Sequence, residues 1–521
     1  MKRFTLFSAT LLLSVALYAQ GEIDALNLSR NDLTGTARGM GMAGAFGALG
    51  GDVTGIAINP AGIGVYRSSE AVATMNFENI GSNAGVTDNK FKFNFDNVAY
   101  ISHYPTGVNN VPRINFGFAY NRLKNFDRKY RSSGVGLPFS MTDYMSHVAD
   151  KIPEGDLTMK HSADIWPFTD GGPWAAVLGY NGYLIDPQIN SEGRLEGYHS
   201  ILESNEKVDN SLYVSERGSI VSYDFSLGTN IAEIVSLGMA FSILDIDYAM
   251  SSSYSENFEI GGNFRLNNDI QTKGTGFDMK LGLILRPTDA LRVGVAYHTP
   301  TWYSISDVYS ARLNYQVDVN GDINTGRHSL DYRLNTPYKW VFSLAGIIDN
   351  WAVVSLDYEI KNYRSMNFAL PTYESDYNDY YGVDNRNIDI HYKDASTLRA
   401  GFEFKVTPQF SLRGGFAWAQ SPLDETFKNN TGNVDKEADV FTSGNILHHI
   451  LPGDAFHYTF GFGYRFASNF YVDVASVVKL QEDDLYAYPR LSNNTGDFIA
   501  SDPTTLKSKV FKGLVTLGYK F

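Results

Sequence analysis

Among its 521 residues the chain has no cysteine. That excludes a disulfide framework, a thiolate metal site, a cysteine nucleophile and lipidation on an N-terminal cysteine. Charge is sparse, at 19% of residues, and its balance is acidic, with 43 Lys and Arg against 57 Asp and Glu. A net charge of −14 argues against wholesale electrostatic binding to nucleic acid. Long apolar runs are missing too: beyond the first twenty residues nothing approaches the ~18 consecutive apolar residues of a membrane helix. What is abundant is aromatic and small, with 33 Tyr, 33 Phe and 48 Gly. The mean hydropathy is only −0.22. A chain poor in charge and rich in Tyr and Phe, yet not hydrophobic overall, has an unusual profile for a cytosolic enzyme.

Lys2 and Arg3 precede an apolar run from Leu6 to Tyr18, and Ala19-Gln20 closes it. This is the pattern of a secretory signal, expected to span residues 1–19. The protein is therefore expected to leave the cytoplasm without helices to hold it in a membrane. It is then either a soluble exported protein or a transmembrane β-barrel.

Alternation decides between the two. Phe456, Tyr458, Phe460, Phe462, Tyr464 and Phe466 share one parity, against His457, Thr459, Gly461, Gly463 and Arg465 on the other. A soluble strand rarely offers six aromatics in a row to its core, whereas a lipid-facing strand does. Similar alternation appears over Ile114–Tyr120, Leu291–His298, Leu398–Val406 and Phe410–Trp418. Counting such segments gives 70–80, 90–103, 111–122, 217–229, 234–250, 274–286 and 290–308. It continues with 337–348, 350–366, 394–406, 409–420, 455–467, 469–482 and 508–521. Short turns (104–110, 230–233, 287–289, 349, 407–408, 468) alternate with long connections (81–89, 123–216, 251–273, 309–336, 367–393, 421–454, 483–507). Outer-membrane barrels pair short periplasmic turns with long extracellular loops in this way. The expected fold is all-β, a 14-stranded antiparallel transmembrane β-barrel over 70–521 with a large extracellular insertion at 123–216. Its last strand ends at the aromatic Phe521, the kind of signal read by the outer-membrane assembly machinery. Its surroundings would be outer-membrane lipid and lipopolysaccharide.

Residues 20–69 do not alternate. Met40 to Gly64 reads MGMAGAFGALGGDVTGIAINPAGIG, and small residues allow tight packing in a confined space. This segment is expected to fold into the lumen as a hatch. The run Ala37-Arg-Gly-Met-Gly-Met-Ala-Gly-Ala-Phe46, followed by Asn59-Pro60-Ala61-Gly62, resembles the N-terminal hatch of the FadL/TodX family, outer-membrane channels for hydrophobic compounds. Phrases such as Leu398-Arg-Ala-Gly-Phe-Glu-Phe and Leu451-Pro-Gly-Asp extend the resemblance over 37–122 and 217–521, while 123–216 departs from the family pattern. The resemblance implies a lateral opening near the third strand, facing the hatch. In this chain that points to Asn59, Pro60 and Ala61 as the gate, and to Phe116, Gly117 and Phe118 as the substrate path.

Other motifs read better as structure. Gly39-Met-Gly41-Met-Ala-Gly44 matches a dinucleotide fingerprint but lacks the preceding strand. Asp318 to Asn324 hints at a calcium loop, yet Ile323 and Ser329 stand where Gly and Glu are needed, so a polar turn is expected. His448-His449 would point to opposite faces of an extended segment, and a solvated loop pair is the better reading. No cofactor or metal is expected. His298 and His457 fall on inward parity, but no diagnostic nucleophile motif accompanies them. Inward charges of both signs (Arg292, Asp357, Glu359, Arg399, Glu403, Lys405, Arg413, Arg465, Asp473) suggest a salt-bridge lattice holding the plug. The leading expectation is passive passage of a hydrophobic small molecule, a long-chain fatty acid, an aromatic hydrocarbon or similar. A surface receptor or adhesin on an occluded barrel, including one that binds haem, is the alternative, with an outer-membrane hydrolase behind it.

Overall fold

The computed structural model describes residues 21–159, 173–371, 380–424, 446–489 and 503–521, with the backbone of 491–492 and 498–499. The expected leader, 1–19, lies outside the described residues, as do parts of the loops expected at 123–216, 367–393, 421–454 and 483–507.

Fourteen antiparallel strands close a barrel. They are β1 (Glu70–Asn83), β2 (Thr87–Val108), β3 (Val111–Asn125), β4 (Val208–Ile231), β5 (Val235–Phe258) and β6 (Asn263–Leu285). β7 runs through Leu291–His298 and Trp302–Gln316, and β8 through His328–Asn335 and Lys339–Ile348. β9 (Ala352–Asn362), β10 (Asp394–Lys405), β11 (Phe410–Ala419), β12 (Ala455–Arg465), β13 (Phe470–Tyr486) and β14 (Thr504–Lys520) complete the set. Each strand pairs with its neighbours in sequence, and β1 pairs with β14 from Glu70/Lys520 to Asn83/Lys507, which leaves no free edge. A closed ladder is what a lipid environment demands of strands. β7 and β8 break at the same level, around Pro300 and Pro337, which have no N–H to give the ladder. The two breaks are stitched together: Thr336 N donates to Thr301 O at 3.0 Å, and Thr301 N to Thr336 Oγ1 at 2.9 Å.

The aromatic parity of β12 faces outward. Phe456, Tyr458, Phe460, Phe462, Tyr464 and Phe466 are 38–64% exposed, while His457, Gly461 and Gly463 are buried toward the lumen. The alternation thus reports lipid on one side and the hatch on the other.

Three long connections expected from the sequence are instead mostly sheet. Residues 81–89 contain only a short turn between Asn83 and Thr87, and 251–273 only a turn between Phe258 and Asn263. Within 309–336, strand continues to Gln316 and resumes at His328. β5 alone has 24 residues. At ~3.3 Å each it is far longer than a ~30 Å hydrocarbon core requires. Above the membrane the outer face meets water, so Ser251-Ser-Ser-Tyr-Ser255 shows no apolar alternation although its ladder is intact.

The insertion 123–216 builds a cap. Arg128–Leu137 pairs with the outer part of β4, and α1 (Met141–Ala149), α2 (Glu154–Leu157), α3 (Trp174–Asn181) and the hairpin Ile185–Ile189/Leu195–Ser200 follow. Ser140 caps α1 by accepting from Thr142 N, and Asp143 accepts in return from Ser140 N at 2.9 Å. Met145, Leu157, Leu178 and Leu184 form the cap core and continue into Leu212, Phe264 and Leu313 of the wall.

Candidate functional site: the hatch and the chamber above it

Residues 21–66 fill the lumen. The hatch comprises three short helices, H1 (Glu22–Ser29), H2 (Ala37–Gly41) and H3 (Val53–Ile58), and a 3₁₀ turn, Pro60–Val65. The last three elements start on a side-chain cap: Thr36 Oγ1 accepts from Gly39 N, Asp52 Oδ1 from Thr54 N, and Asn59 Oδ1 from Ala61 N. Pro60 follows its cap at the position where a missing N–H costs nothing. The hydroxyl of Thr36 also donates to Asp52 at 2.8 Å and so joins two of the caps.

Wall and hatch fit because each presents small residues to the other. A Cβ at Gly238 would lie 2.1 Å from Pro60 O, and one at Gly282 would lie 2.0 Å from Asn59 Oδ1. Asn59 Nδ2 donates to Gly47 O at 2.7 Å and to Leu283 O of β6 at 3.2 Å. Asn59-Pro60-Ala61 therefore docks on β5 to β7. The next turn meets β3: Asn115 Nδ2 donates to Ile63 O at 2.7 Å, and Gly117 faces the Ile63 side chain. Phe116 and Phe118 point the other way, onto the outer face, at 50% and 41% exposure. β3 is continuously paired to β2 from Asn97/Asn121 to Pro105/Arg113, and to β4 from Arg113/Asn230 to Arg122/Val221. The wall beside Gly117 is closed in this structure.

Ion pairs and carboxylates pin the middle of the hatch. Arg38 binds Glu403, which also accepts from Arg413 Nε at 2.7 Å, and Arg413 reaches Asp473. Asp357 Oδ2 accepts from Phe46 N at 3.0 Å and Gly47 N at 2.9 Å. Arg399 binds Glu359, and the Arg292 guanidinium donates to Leu49 O. Of the inward charges read from the sequence, Lys405 and Arg465 are exposed, at the ends of their strands beside the short turns. His298 Nε2 lies 2.8 Å from Ile58 O, so this histidine holds the hatch.

H1 lies above the pinned part. Its apolar residues are buried against Tyr303, Tyr332, Phe368 and Tyr392 from the wall and mouth. Beside it is a cavity of about 190 Å³, lined by apolar groups such as Leu28, Met250 and Ile270 and by charged ones such as Asp32, Lys479 and Lys512. His448 and His449 are buried on this cavity, not solvated as expected, and His449 stacks on Tyr486 with ring centroids 4.9 Å apart. Burial holds His448 down at about 4, neutral at physiological pH. At 318–324 the chain forms a hairpin, with Asn320–Asn324 paired to Arg312–Gln316 and Arg312 bound to Asp322. No cluster of three metal-ligating side chains occurs among the described residues.

A family model, outer membrane protein transport protein (OMPP1/FadL/TodX), matches residues 219–484. The chain belongs to that family. A FadL homologue from Pseudomonas aeruginosa has a similar fold, at 14% identity, covering 94% of this chain and 99% of its own, with a TM-score of 0.52. The P. putida toluene transporter TodX is similar at 13% identity over 94% of this chain and 99% of its own, with a TM-score of 0.51. Comparison with curated protein sequences finds no match. FadL/TodX membership places the barrel among outer-membrane transport channels, and the fold likeness covers more of the chain than the matched region. The matched region supplies the wall residues Asp357, Glu403 and Arg413 that hold the hatch.

Proposed function

We propose that the protein carries hydrophobic small molecules, such as long-chain fatty acids or aromatic hydrocarbons, passively across the outer membrane. The observation that carries this reading is a cavity of about 190 Å³, part apolar and part charged, beside a cluster of buried tyrosines and aliphatic residues and a hatch held by separable polar ties. Burial supplies the capture energy, about 0.8 kcal/mol per CH₂. The charged side of the adjoining cavity suits a compound with an apolar body and a small polar end. Release requires the hatch to shift, because tight capture alone is a trap.

We assign the gate to Asn59, Pro60 and Ala61, whose shape is set by the proline and by the Asn59 hydrogen bonds. Displacing this turn also frees Ile63 from Gly117. Gly117 carries no side chain there, and Phe116 and Phe118 on the lipid side of β3 are the landing surface for a lateral exit. Export with cleavage after Ala19 and insertion through the Phe521-ended strand complete the reading.

The test is uptake of a labelled long-chain fatty acid and of an aromatic hydrocarbon by cells with and without the protein. The Ala61→Phe variant is compared at equal surface abundance. Uptake in wild type and its loss in the variant support the reading. Wild-type uptake no greater than that of cells lacking the protein overturns transport of those compounds.

A further inference from the structure

The strand Arg128–Leu137 and the outer part of β4 carry a cluster of cations that takes no part in holding the hatch. Tyr130 and Val214 pair with each other and are buried on the inner face. Their neighbours therefore turn outward: Lys129, opposite Ser215, and Arg131, opposite Tyr213. Arg217 is exposed on the same face of β4. It stands diagonally from Lys129, at a Cα separation of ~7–8 Å. Among the described residues neither Lys129 nor Arg217 has an ion-pair partner, and Arg131 has only Asp88, at 3.5 Å. The cluster runs against the net charge of −14 of the whole chain.

Its height on the barrel is set by the strands themselves. Tyr223 of β4 and Ile243 of β5 form an outward apolar pair, 40% and 41% exposed, and the polar Asp245 and Asp247 follow on β5. Arg217 lies beyond Tyr223 by ~20 Å of tilted strand. That is past the acyl chains and among head groups and sugars. Beside the cations the outer surface has a groove of about 410 Å³, lined by Val86, Arg131, Ser133, Ser211 and Tyr213. The Arg131 guanidinium lies over the Tyr213 ring, 5.0 Å from its centroid, which steadies a long side chain. Hydroxyls fill the paired rows around it, Ser133 with Ser211 and Ser255, and Ser215 with Ser251. Guanidinium and ammonium groups amid hydroxyls suit a phosphorylated sugar. The adjoining outer face of β5 to β8 has the opposite charge: its groove of about 580 Å³ is lined by Asp245, Asp247 and Asp331 against Lys273 alone.

We propose that Lys129, Arg131 and Arg217 form a binding site for the phosphorylated head group of an outer-leaflet glycolipid. Phosphate sits on Lys129 and Arg217, and an adjoining sugar occupies the groove beside Arg131, Tyr213 and the serines. The acyl chains run down the same face over Tyr223 and Phe225. That continuity selects a lipid over a free phosphate, since only a ligand with chains uses the cations and the aromatic belt together. The acidic face of β5 to β8 repels phosphate, so the lipid is held on one side of the barrel, at β3 and β4. No group of the hatch or lumen takes part, and the inference stands apart from the channel reading.

The test is equilibrium titration of the purified full-length barrel, in a non-ionic detergent, with rough lipopolysaccharide bearing phosphorylated lipid A and inner core. The same lipopolysaccharide stripped of phosphate, and inorganic phosphate as competitor, are the other two arms. Wild type is compared with the triple substitution Lys129→Gln, Arg131→Gln, Arg217→Gln, with Arg217→Gln alone, and with Lys273→Gln on the acidic face. Heat-modifiable migration confirms that each barrel is folded, and Arg217→Gln, which removes an exposed and unpaired side chain, decides if the triple variant is not. The triple variant is expected to bind at least about tenfold more weakly than wild type and Arg217→Gln about threefold more weakly, while Lys273→Gln binds no more weakly. Stripped lipopolysaccharide is expected to bind as weakly as the intact form binds the triple variant, and equimolar phosphate not to compete. Equal affinity of wild type and the cation variants overturns the inference, as does equal affinity for intact and stripped lipopolysaccharide. Competition by equimolar phosphate overturns the lipid as the ligand, and no binding by wild type overturns the site.

Discussion

Arg38 of the hatch and Glu403 of β10 share two parallel hydrogen bonds, Nε to Oε2 at 2.9 Å and Nη2 to Oε1 at 3.1 Å. This fork-to-fork geometry is the strongest and most directional form of the guanidinium–carboxylate contact. Glu403 is buried and accepts from Arg413 as well, so the hatch is one arm of a network spanning β10, β11 and β13.

Glu403→Gln is therefore expected to weaken hatch docking by about 3–5 kcal/mol, the scale for leaving a buried charge without its partner. Hydrogen exchange should accelerate at amides 37–47 and stay unchanged in the strands of the lipid-facing wall. Unchanged protection at 37–47 would mean that the network is dispensable for docking.

Two wall glycines provide a matched pair. Gly282→Ala places its Cβ 2.0 Å from Asn59 Oδ1 and 2.7 Å from Ala61 N, whereas Gly346→Ala meets nothing within 4 Å. The first substitution should displace the Asn59-Pro60-Ala61 turn and raise protease sensitivity within the hatch. The second should leave it as in wild type. Equal sensitivity of the two variants would count against a close hatch–wall fit at this point.

The lipid face is tested by Phe462→Arg. A cationic side chain near the bilayer midplane costs about 2–4 kcal/mol, so less heat-modifiable barrel should accumulate in the membrane. The inward parity of the same strand is not a tolerant control, because Gly461 Cα already lies close to the hatch at Gly41.

A pH effect is expected at the mouth. Burial, and then the charges of Glu22 and Asp24, push Asp384 up from 3.8 to about 8. Asp384 lies in the helix Gly382–His391, between β9 and β10, which packs on H1. The docked form holds a proton that the undocked form releases. Docking is thus fully supported below pH 3.8 and loses this support as pH rises toward 8. Exchange at 382–391, corrected for its intrinsic pH dependence, should be faster at pH 8 than at pH 6. Asp384→Asn should remove the difference.

The sequence reveals the wall better than what the wall encloses. Lipid imposes period-two alternation, so fourteen strands are visible wherever the chain is inside the membrane, as at Phe456–Phe466. Where β5 and β6 rise above it no such pressure acts, and 251–273 looks like a loop although its ladder is unbroken. The hatch announces itself through Gly and Ala, and inward parity picks out Asp357, Glu403 and Arg413. Which hatch atom each one meets depends on how the barrel closes, through contacts hundreds of residues apart, such as Arg38 with Glu403. The burial of His448 and His449 is hidden for the same reason, since the residues that cover them come from distant strands.

If cargo passes only when the hatch moves, a reversible lock between hatch and wall stops it. A Cβ at Gly47 would lie 3.1 Å from the Cβ of Ser343 in β8. That is near the ~3.5–4.5 Å separation a disulfide needs, and the chain has no other cysteine to compete. In cells carrying Gly47→Cys with Ser343→Cys, fatty-acid uptake should fall on oxidation to the level of cells lacking the protein and recover on reduction. Undiminished uptake by the fully oxidised, surface-exposed barrel would show that cargo passes a hatch that does not move.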